Sequence, residues 1–244
     1  MLTLYHGVTS TCSKRVRICL AEKELAWNSI HIDLSKFEHL NPDYFKINPN
    51  GVVPALDHDG RILFESNFIN EYLDDCFPET PLRPADLYER ARMRIWMDRF
   101  EHVLHRNINT ISFIKQNRYK RYEGLSEAEI QAMLDRQPNE AKRVQLATRI
   151  RDGIQPEEMD YAEARIAEVL DEMEGALGDR PWLNGDNISL ADIAVAPFFE
   201  RFENNRLTRL VDWSARPALG GWWARMQDRA SFKTAFAFRP PDNN

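Results

Sequence analysis

Three short stretches carry residue types whose spacing could do chemistry. The first is Val53-Pro54, inside the apolar run Val52 to Asp57 that reads as a strand. Proline cannot donate to a ladder. Pro54 therefore requires an edge, a bulge or a cis peptide, with the backbone groups of the preceding residue turned outward where they could pair with a peptide-like ligand. The second is Glu65-Ser66, at the start of a helix predicted over Asn67 to Phe77. Free N–H groups and the positive dipole end there favour a carboxylate from outside. The third is Ser10-Thr11-Cys12-Ser13, where a polar loop opens a helix at about Thr11 to Lys23. Cys12-Ser13-Lys14-Arg15 lacks the second cysteine of a Cys-x-x-Cys pair, which argues against dithiol redox chemistry.

The elements that must hold these stretches follow from local pattern. Leu2 to Tyr5 alternates as a short strand and Trp27 to Leu34 reads as the next, so strand, helix and strand form a parallel βαβ unit. Asn48-Pro49-Asn50-Gly51 is turn chemistry, and Asp59-Gly60 joins Val52 to Asp57 to a returning strand, Arg61 to Phe64. Residues 1–77 form one predicted domain. The proline-rich connector 78–84 marks a boundary, and 85–244 is helical material. Within it, apolar spacing predicts a long helix from Ala85 to about Gln116. Capping boxes at Ser126 to Glu129 and Ser189 to Asp192 open two more, the second with a kink expected at Pro197. Further helices are expected over Asp160 to Leu177 and Pro217 to Ala230. Periodicity leaves open whether the charged stretch Pro138 to Pro156 is a helical arm or a mobile excursion. Asp192 and the pair Trp222-Trp223 read as structural, and Phe232, Phe236 and Phe238 would let the tail pack back on the body.

Composition removes several function classes. A net charge of −6 argues against nucleic-acid binding, which needs a concentrated basic surface. No apolar run could span a bilayer, and the N-terminus has no secretory pattern. Cys12, Cys19 and Cys76, without metal-ligand spacing, read as free thiols in a reducing cytoplasm, and the histidines make no zinc signature.

Asn48-Pro49-x-x-x-Val53-Pro54-Ala55-Leu56, the glycine-centred hairpin, and Glu65-Ser66-x-x-Ile69-x-x-Tyr72-Leu73 together resemble the glutathione-binding half of the cytosolic glutathione transferases. The resemblance implies a thioredoxin-like β-α-β-α-β-β-α domain followed by an all-helical C-terminal domain, in a homodimer. Glutathione would be the cosubstrate and a small hydrophobic electrophile the second substrate. It implies that Val53, before a cis Pro54, pairs with the cysteinyl part of glutathione, and that Glu65 and Ser66 hold its γ-glutamyl end. His39 has the spacing at which theta-class enzymes contact the glycine carboxylate, although Val52 stands where those enzymes have lysine. Asp98 stands where a partner-subunit acid approaches the glutamyl ammonium in some classes.

With glutathione along the hairpin, its sulfur would lie above Ser10 to Ser13. An ordinary thiol, pKa about 8.5, is mostly protonated at neutral pH. A hydroxyl donating to sulfur, and a helix N-terminus, would both favour the thiolate. Ser10-Thr11-Cys12-Ser13-Lys14-Arg15-Val16-Arg17-Ile18 resembles the zeta-class motif, which puts Ser10 on the catalytic serine, with Thr11 as a neighbouring donor. The same register places Cys12 where beta-class enzymes keep a catalytic cysteine, so Cys12 stands second to Ser10. Val8, His105, Asn109, Phe113 and the tail phenylalanines are candidates for the electrophile pocket. In layout, Leu34 to His39, Leu82 to Asp86 and the 138–156 insertion resemble bacterial lignin β-etherases. The expected activity is therefore thiolate attack on an electrophile. Glutathione-dependent β-aryl-ether cleavage, zeta-like isomerisation and a non-catalytic binding module are the alternatives.

Overall fold

Short alternating strands and the helices between them build a mixed sheet against a helical body. The computed structural model describes residues 1–116 and 118–239. Strand β1 (Leu2–His6) leads through helix α1 (Thr11–Glu22) to β2 (Trp27–His31), with Leu2 opposite Trp27 in parallel. A short helix α2 (Pro42–Phe45) precedes β3 (Ala55–His58) and β4 (Arg61–Phe64), and α3 (Ser66–Cys76) closes the unit. Strand order is β2-β1-β3-β4, with β3 antiparallel to both neighbours. This is the thioredoxin-like order expected.

Two strands are shorter than their sequence patterns predict, for local reasons. Pairing of β3 begins at Ala55 rather than Val52 because Pro54 has no N–H to donate and the Val52 carbonyl accepts from Tyr44 Oη and Asn48 Nδ2, each at 2.7 Å. β2 ends at His31, not Leu34. Asp33 then accepts from the Ser35 N–H at 2.8 Å and turns the chain into a 3₁₀ turn, Leu34–Lys36.

The helix predicted over Ala85 to Gln116 is an interrupted run. It comprises α4 (Leu87–Arg99), a stretch of wider π-type turns (Phe100–His105) and α5 (Arg106–Lys115). The capping box at Ser126 opens α6 (Glu127–Asp135). The stretch that periodicity left open contains α7 (Glu140–Arg151), capped by Asn139, whose side chain accepts from Lys142 N–H at 2.9 Å. Arg149 ties α7 to α5 by donating to Thr110 Oγ1 at 2.6 Å.

Next come α8 (Pro156–Leu177), α9 (Leu190–Asn204), which continues past Pro197, α10 (Thr208–Val211), α11 (Pro217–Asp228) and α12 (Ala230–Ala237). At the capping box of α9, the buried Asp192 carboxylate accepts from Ser189 N–H and O–H at 2.9 and 2.8 Å. It also accepts from Leu183 N–H at 3.1 Å and Trp222 Nε1–H at 2.8 Å. One apolar cluster runs from Leu4 and Ile18 through Leu73, Met93 and Phe100 to Phe199 and Trp222. Sheet and helical body thus share a core.

Helix α1 lies within that core, and its cations go in with it. Lys14, Arg15 and Arg17 are only 8, 0 and 3% exposed. Lys14 pairs with Glu200 on α9, and Arg15 Nε donates to Ala194 O of α9 at 2.8 Å. Arg17 Nε donates to Ala235 O of α12 at 3.1 Å, and its Nη1 lies 3.0 Å from His6 Nδ1. The tail packs back as expected up to residue 239, with the Phe238 ring 4.7 Å from that of His6. Residues 240–244 lie outside the described residues.

Burial, then the charges of Arg17 and His31, hold His6 at a pKa of about 3. A histidine kept neutral in the native state and free to charge when unfolded costs stability as pH falls from about 6.5 toward that value. The loss amounts to a few kcal/mol at most. His6→Gln is expected to be less stable than wild type near pH 7, but to lose less between about pH 6.5 and pH 4 in urea titrations. Parallel losses in both proteins would contradict this.

Candidate functional site

The N-terminus of α1 opens toward solvent above buried cations. Ser10 caps the helix, its hydroxyl accepting from Ser13 N–H at 3.2 Å, and remains half-buried with its own O–H available to donate. Thr11 is buried. Ser13 is buried too, its hydroxyl accepting from Gly7 N–H at 3.2 Å. Ser10 is thus the hydroxyl of this segment most open to a solute. Cys12 is half-buried, one residue inside the helix. Burial pushes its thiol pKa up and Glu101 adds to that, opposed by Arg15 and by a hydrogen bond with Ser66. Its own thiolate is disfavoured.

The hairpin supplies the opposite wall. The Val53-Pro54 peptide is cis, and the N–H and C=O of Val53 enter no hydrogen bond among the described residues. Buried backbone groups normally find partners, so these two are free for one from outside. Glu65 sits at φ 70° and ψ 105°, in the left-handed half of backbone space that costs a side-chain-bearing residue on the order of 1–3 kcal/mol. Its exposed carboxylate has no ion-pair partner among the described residues. Ser66, the first residue of α3, is buried with Oγ 3.3 Å from Arg15 Nη1.

Arg15 brings these walls together. Its Nη1 reaches Ser66, lies 4.0 Å from Cys12 Sγ, and donates to Glu101 Oε2 at 2.7 Å. Two predicted residues lie outside this cluster. His39 stands on the turn Glu38–Leu40, its carbonyl pressed against Gly51 so closely that a side chain there would meet it at 3.3 Å. Gly51 has φ +58°, which only glycine adopts freely. Asp98 is on the exposed face of α4, where it pairs with His102 at 3.3 Å. Of the expected pocket residues, His105 and Asn109 are partly exposed, whereas Phe113 is buried and stacks on Tyr122.

Glu101 and Arg201 join this candidate cluster, yet no sequence signal marked them. Glu101 and His105 occupy the π-type turns, a feature frequent at functional sites. His105 Nδ1 lies 2.6 Å from Glu101 Oε1. Arg201, on α9, donates to Asn109 Oδ1 at 3.1 Å and reaches the Thr9 carbonyl at 3.5 Å. Burial opposes the charge on Glu101, but the hydrogen bond from His105 and the charge of Arg15 outweigh it, so its carboxyl lies well below the usual range.

One donor atom each of Cys12, Glu101 and His105 lies within 4.8 Å of the other two. A divalent cation does not suit this trio, because Arg15 already occupies Glu101 and the positive charges of Arg15 and Arg201 face the same space. The arrangement instead suits an anion. Helix dipole, Arg15 and Arg201 all stabilise negative charge at the mouth of α1.

Comparison with known proteins fits this geometry. Family models described as "Glutathione S-transferase, N-terminal domain" and "Glutathione S-transferase, C-terminal domain" match residues 1–75 and 118–225. Protein LigF of Sphingobium sp. (strain NBRC 103272 / SYK-6) is 31% identical over 243 residues, covering 96% of this chain and 93% of the relative. The crystal structure of beta-etherase LigF from Sphingobium sp. strain SYK-6 superposes with a TM-score of 0.86 at 30% identity, over 96% of this chain and 98% of that one. Glutathione transferase F7 from Populus trichocarpa gives a TM-score of 0.73 at 27% identity, over 98% and 100% of the two chains. Glutathione S-transferase Z1 of Arabidopsis thaliana is 46% identical over 91 residues, 37% of this chain and 41% of the relative. Among the described residues no helix is long and apolar enough to cross a membrane.

Proposed function

The chain belongs to the glutathione S-transferase family, and we propose on that premise that it binds glutathione across the hairpin and activates its thiolate at Ser10 for attack on an electrophilic carbon. The half-exposed Ser10 hydroxyl at the cap of α1, above the buried Arg15, is the observation that carries this reading. Ser10 donates to the sulfur while the helix N-terminus and the guanidinium supply positive charge, so the thiolate is favoured over the thiol. Cys12 is the second candidate, weakened by its raised pKa. Thr11, being buried, supports the loop rather than the sulfur.

The remaining contacts follow from chemistry. Val53 pairs through its free N–H and C=O with the cysteinyl unit, beside cis Pro54. Glu65, held in its strained conformation, and Ser66 receive the γ-glutamyl end, where the carboxylate meets the N-terminus of α3. His39 is assigned to the glycine carboxylate, and Asp98 of a second subunit to the glutamyl ammonium. Three unpaired cysteines fit a reducing cytoplasm.

For the electrophile, an aryl ether is the reading with a specific observation behind it. The near full-length likeness to beta-etherase LigF, at a TM-score of 0.86, supports ether cleavage beside general conjugation. In such a step the C–S bond forms as the C–O bond breaks. The electron pair leaves on the aryl oxygen, which then takes a proton, and nothing is oxidised or reduced.

A second copy of this chain is proposed to cover the face formed by Phe68 of α3 and Tyr88 and Ile95 of α4, which are 70, 70 and 67% exposed. Isolated exposed apolar residues are ordinary, but three large ones on two helices joined by the Glu71–Arg94 ion pair make an adhesive face. Light scattering is expected to give twice 28.5 kDa, and Ile95→Glu to shift the protein toward monomer. A monomeric wild type would contradict this.

Glutathione incubated with an α-aryloxyacetophenone and the protein is expected to yield the thioether and the free phenol in equal amounts. Ser10→Ala is expected to lower kcat/KM by about 10–100-fold, the worth of one hydrogen bond to a charged group. Retention on immobilised glutathione without turnover of any electrophile would point instead to a binding module. A loss of that size in Cys12→Ala alone would move the assignment to the thiol.

A further inference from the structure

We propose that His105, held by Glu101, delivers the proton that the departing oxygen needs, a proton it receives as the glutathione thiol ionises beside Ser10. This rests on the transferase reading of the same site and adds to it a residue that touches the reacting atoms.

Geometry points to this role. The Glu101 carboxylate can only accept hydrogen bonds, and its Oε1 lies 2.6 Å from His105 Nδ1. The proton of a neutral imidazole is therefore on Nδ1, leaving the Nε2 lone pair free to act as a base. Arg15 fixes Glu101 from the other side at 2.7 Å, so the imidazole is oriented by a chain of two short bonds that begins at a fully buried guanidinium. One donor atom of the His105 ring lies within 4.8 Å of the Cys12 sulfur, at the helix end where the sulfur of the proposed cosubstrate would sit. His105, Glu101 and Cys12 are all partly exposed.

Charge suits both directions of transfer. Facing His105 are Glu101 from its own segment, Cys12 and Arg15 from α1, and Arg201 and the Phe198 ring from α9, the ring centroid 5.8 Å away. Burial lowers the His105 pKa, Glu101 raises it, and the two arginines lower it again. The ring is thus neutral at rest and able to accept. Once protonated, it is stabilised by Glu101 yet pressed by Arg15 and Arg201 to give the proton up. As the thiol ionises beside Ser10 its proton passes to Nε2; the thiolate's electron pair then forms the C–S bond, and the C–O pair leaves on oxygen. Nε2–H then protonates the aryloxide, restoring neutral imidazole and releasing a phenol. A phenol of pKa about 10 is a poor leaving group as its anion, so this final transfer affects the rate.

The experiment compares wild type, His105→Gln and Glu101→Gln on α-aryloxyacetophenones that release nitrophenol or unsubstituted phenol, and on chlorodinitrobenzene, whose chloride needs no proton. His105→Gln is expected to lose about 100-fold in kcat on the phenol ether and less than about 10-fold on the nitrophenol ether and the aryl chloride, with KM for glutathione little changed. Glu101→Gln, acting as a change in a positioning residue, is expected to show the same pattern more weakly. It carries the test alone if His105→Gln does not fold. Equal losses on all three electrophiles, or no loss, would overturn the proton-carrier role while leaving the transferase standing. A wild type inactive on all three would overturn both.

Discussion

A guanidinium with no exposure must have its donors met inside the protein, or the fold pays several kcal/mol for the isolated charge. Arg15 meets most of that demand through Nε and Nη1, which reach the Ala194 carbonyl on α9, Glu101 in the π-type turns and Ser66 at the start of α3, while Nη2 has no partner among the described residues. Those three partners belong to the helical body and to the far wall of the binding cleft. One side chain therefore fixes where the α1 N-terminus points, which is where the chemistry is proposed to occur. Lys14 and Arg17 repeat the device toward Glu200 and Ala235. The result is a helix whose free N–H groups face the cleft while its side-chain charges are anchored below.

That architecture places positive charge beneath the sulfur position without exposing it to solvent screening, and the same cations set the state of their neighbours. Glu101 remains ionised because Arg15 and His105 outweigh its burial, and Cys12 remains a thiol because its burial outweighs Arg15. A hydroxyl at the cap, a neutral imidazole and an occupied carboxylate are then the groups left to handle a proton.

Much of the fold was legible because it is encoded locally. Alternation in Leu2 to Tyr5, the turn residues around Asp59-Gly60 and the capping boxes at Ser126 and Ser189 each specify one element. Pro54 announced an interrupted strand, although the pairing starts three residues later than apolar content alone suggests, because Val52 spends its carbonyl on Tyr44 and Asn48. The contiguous candidate stretches, Ser10 to Ser13 and Val53 to Ser66, stand out in the sequence for the same reason. Glu101 and Arg201 were not. Each looks like a solvated helix residue in a charged stretch, and only packing of α1 against α9 and the π-type turns brings them to Cys12. The π-type turns have no sequence signature in Phe100–His105, and the buried cations of α1 break the rule that charge marks the solvent face.

The proposed chemistry depends on this protein holding glutathione as a thiolate through Ser10. Ultraviolet difference absorbance of bound glutathione against pH, in wild type and Ser10→Ala, tests it most directly. A thiol titrating well below about 8.5 in wild type and returning toward that value in Ser10→Ala is expected. Confirmed glutathione binding with no thiolate signal near neutral pH, or a depressed pKa unchanged in Ser10→Ala, would contradict it.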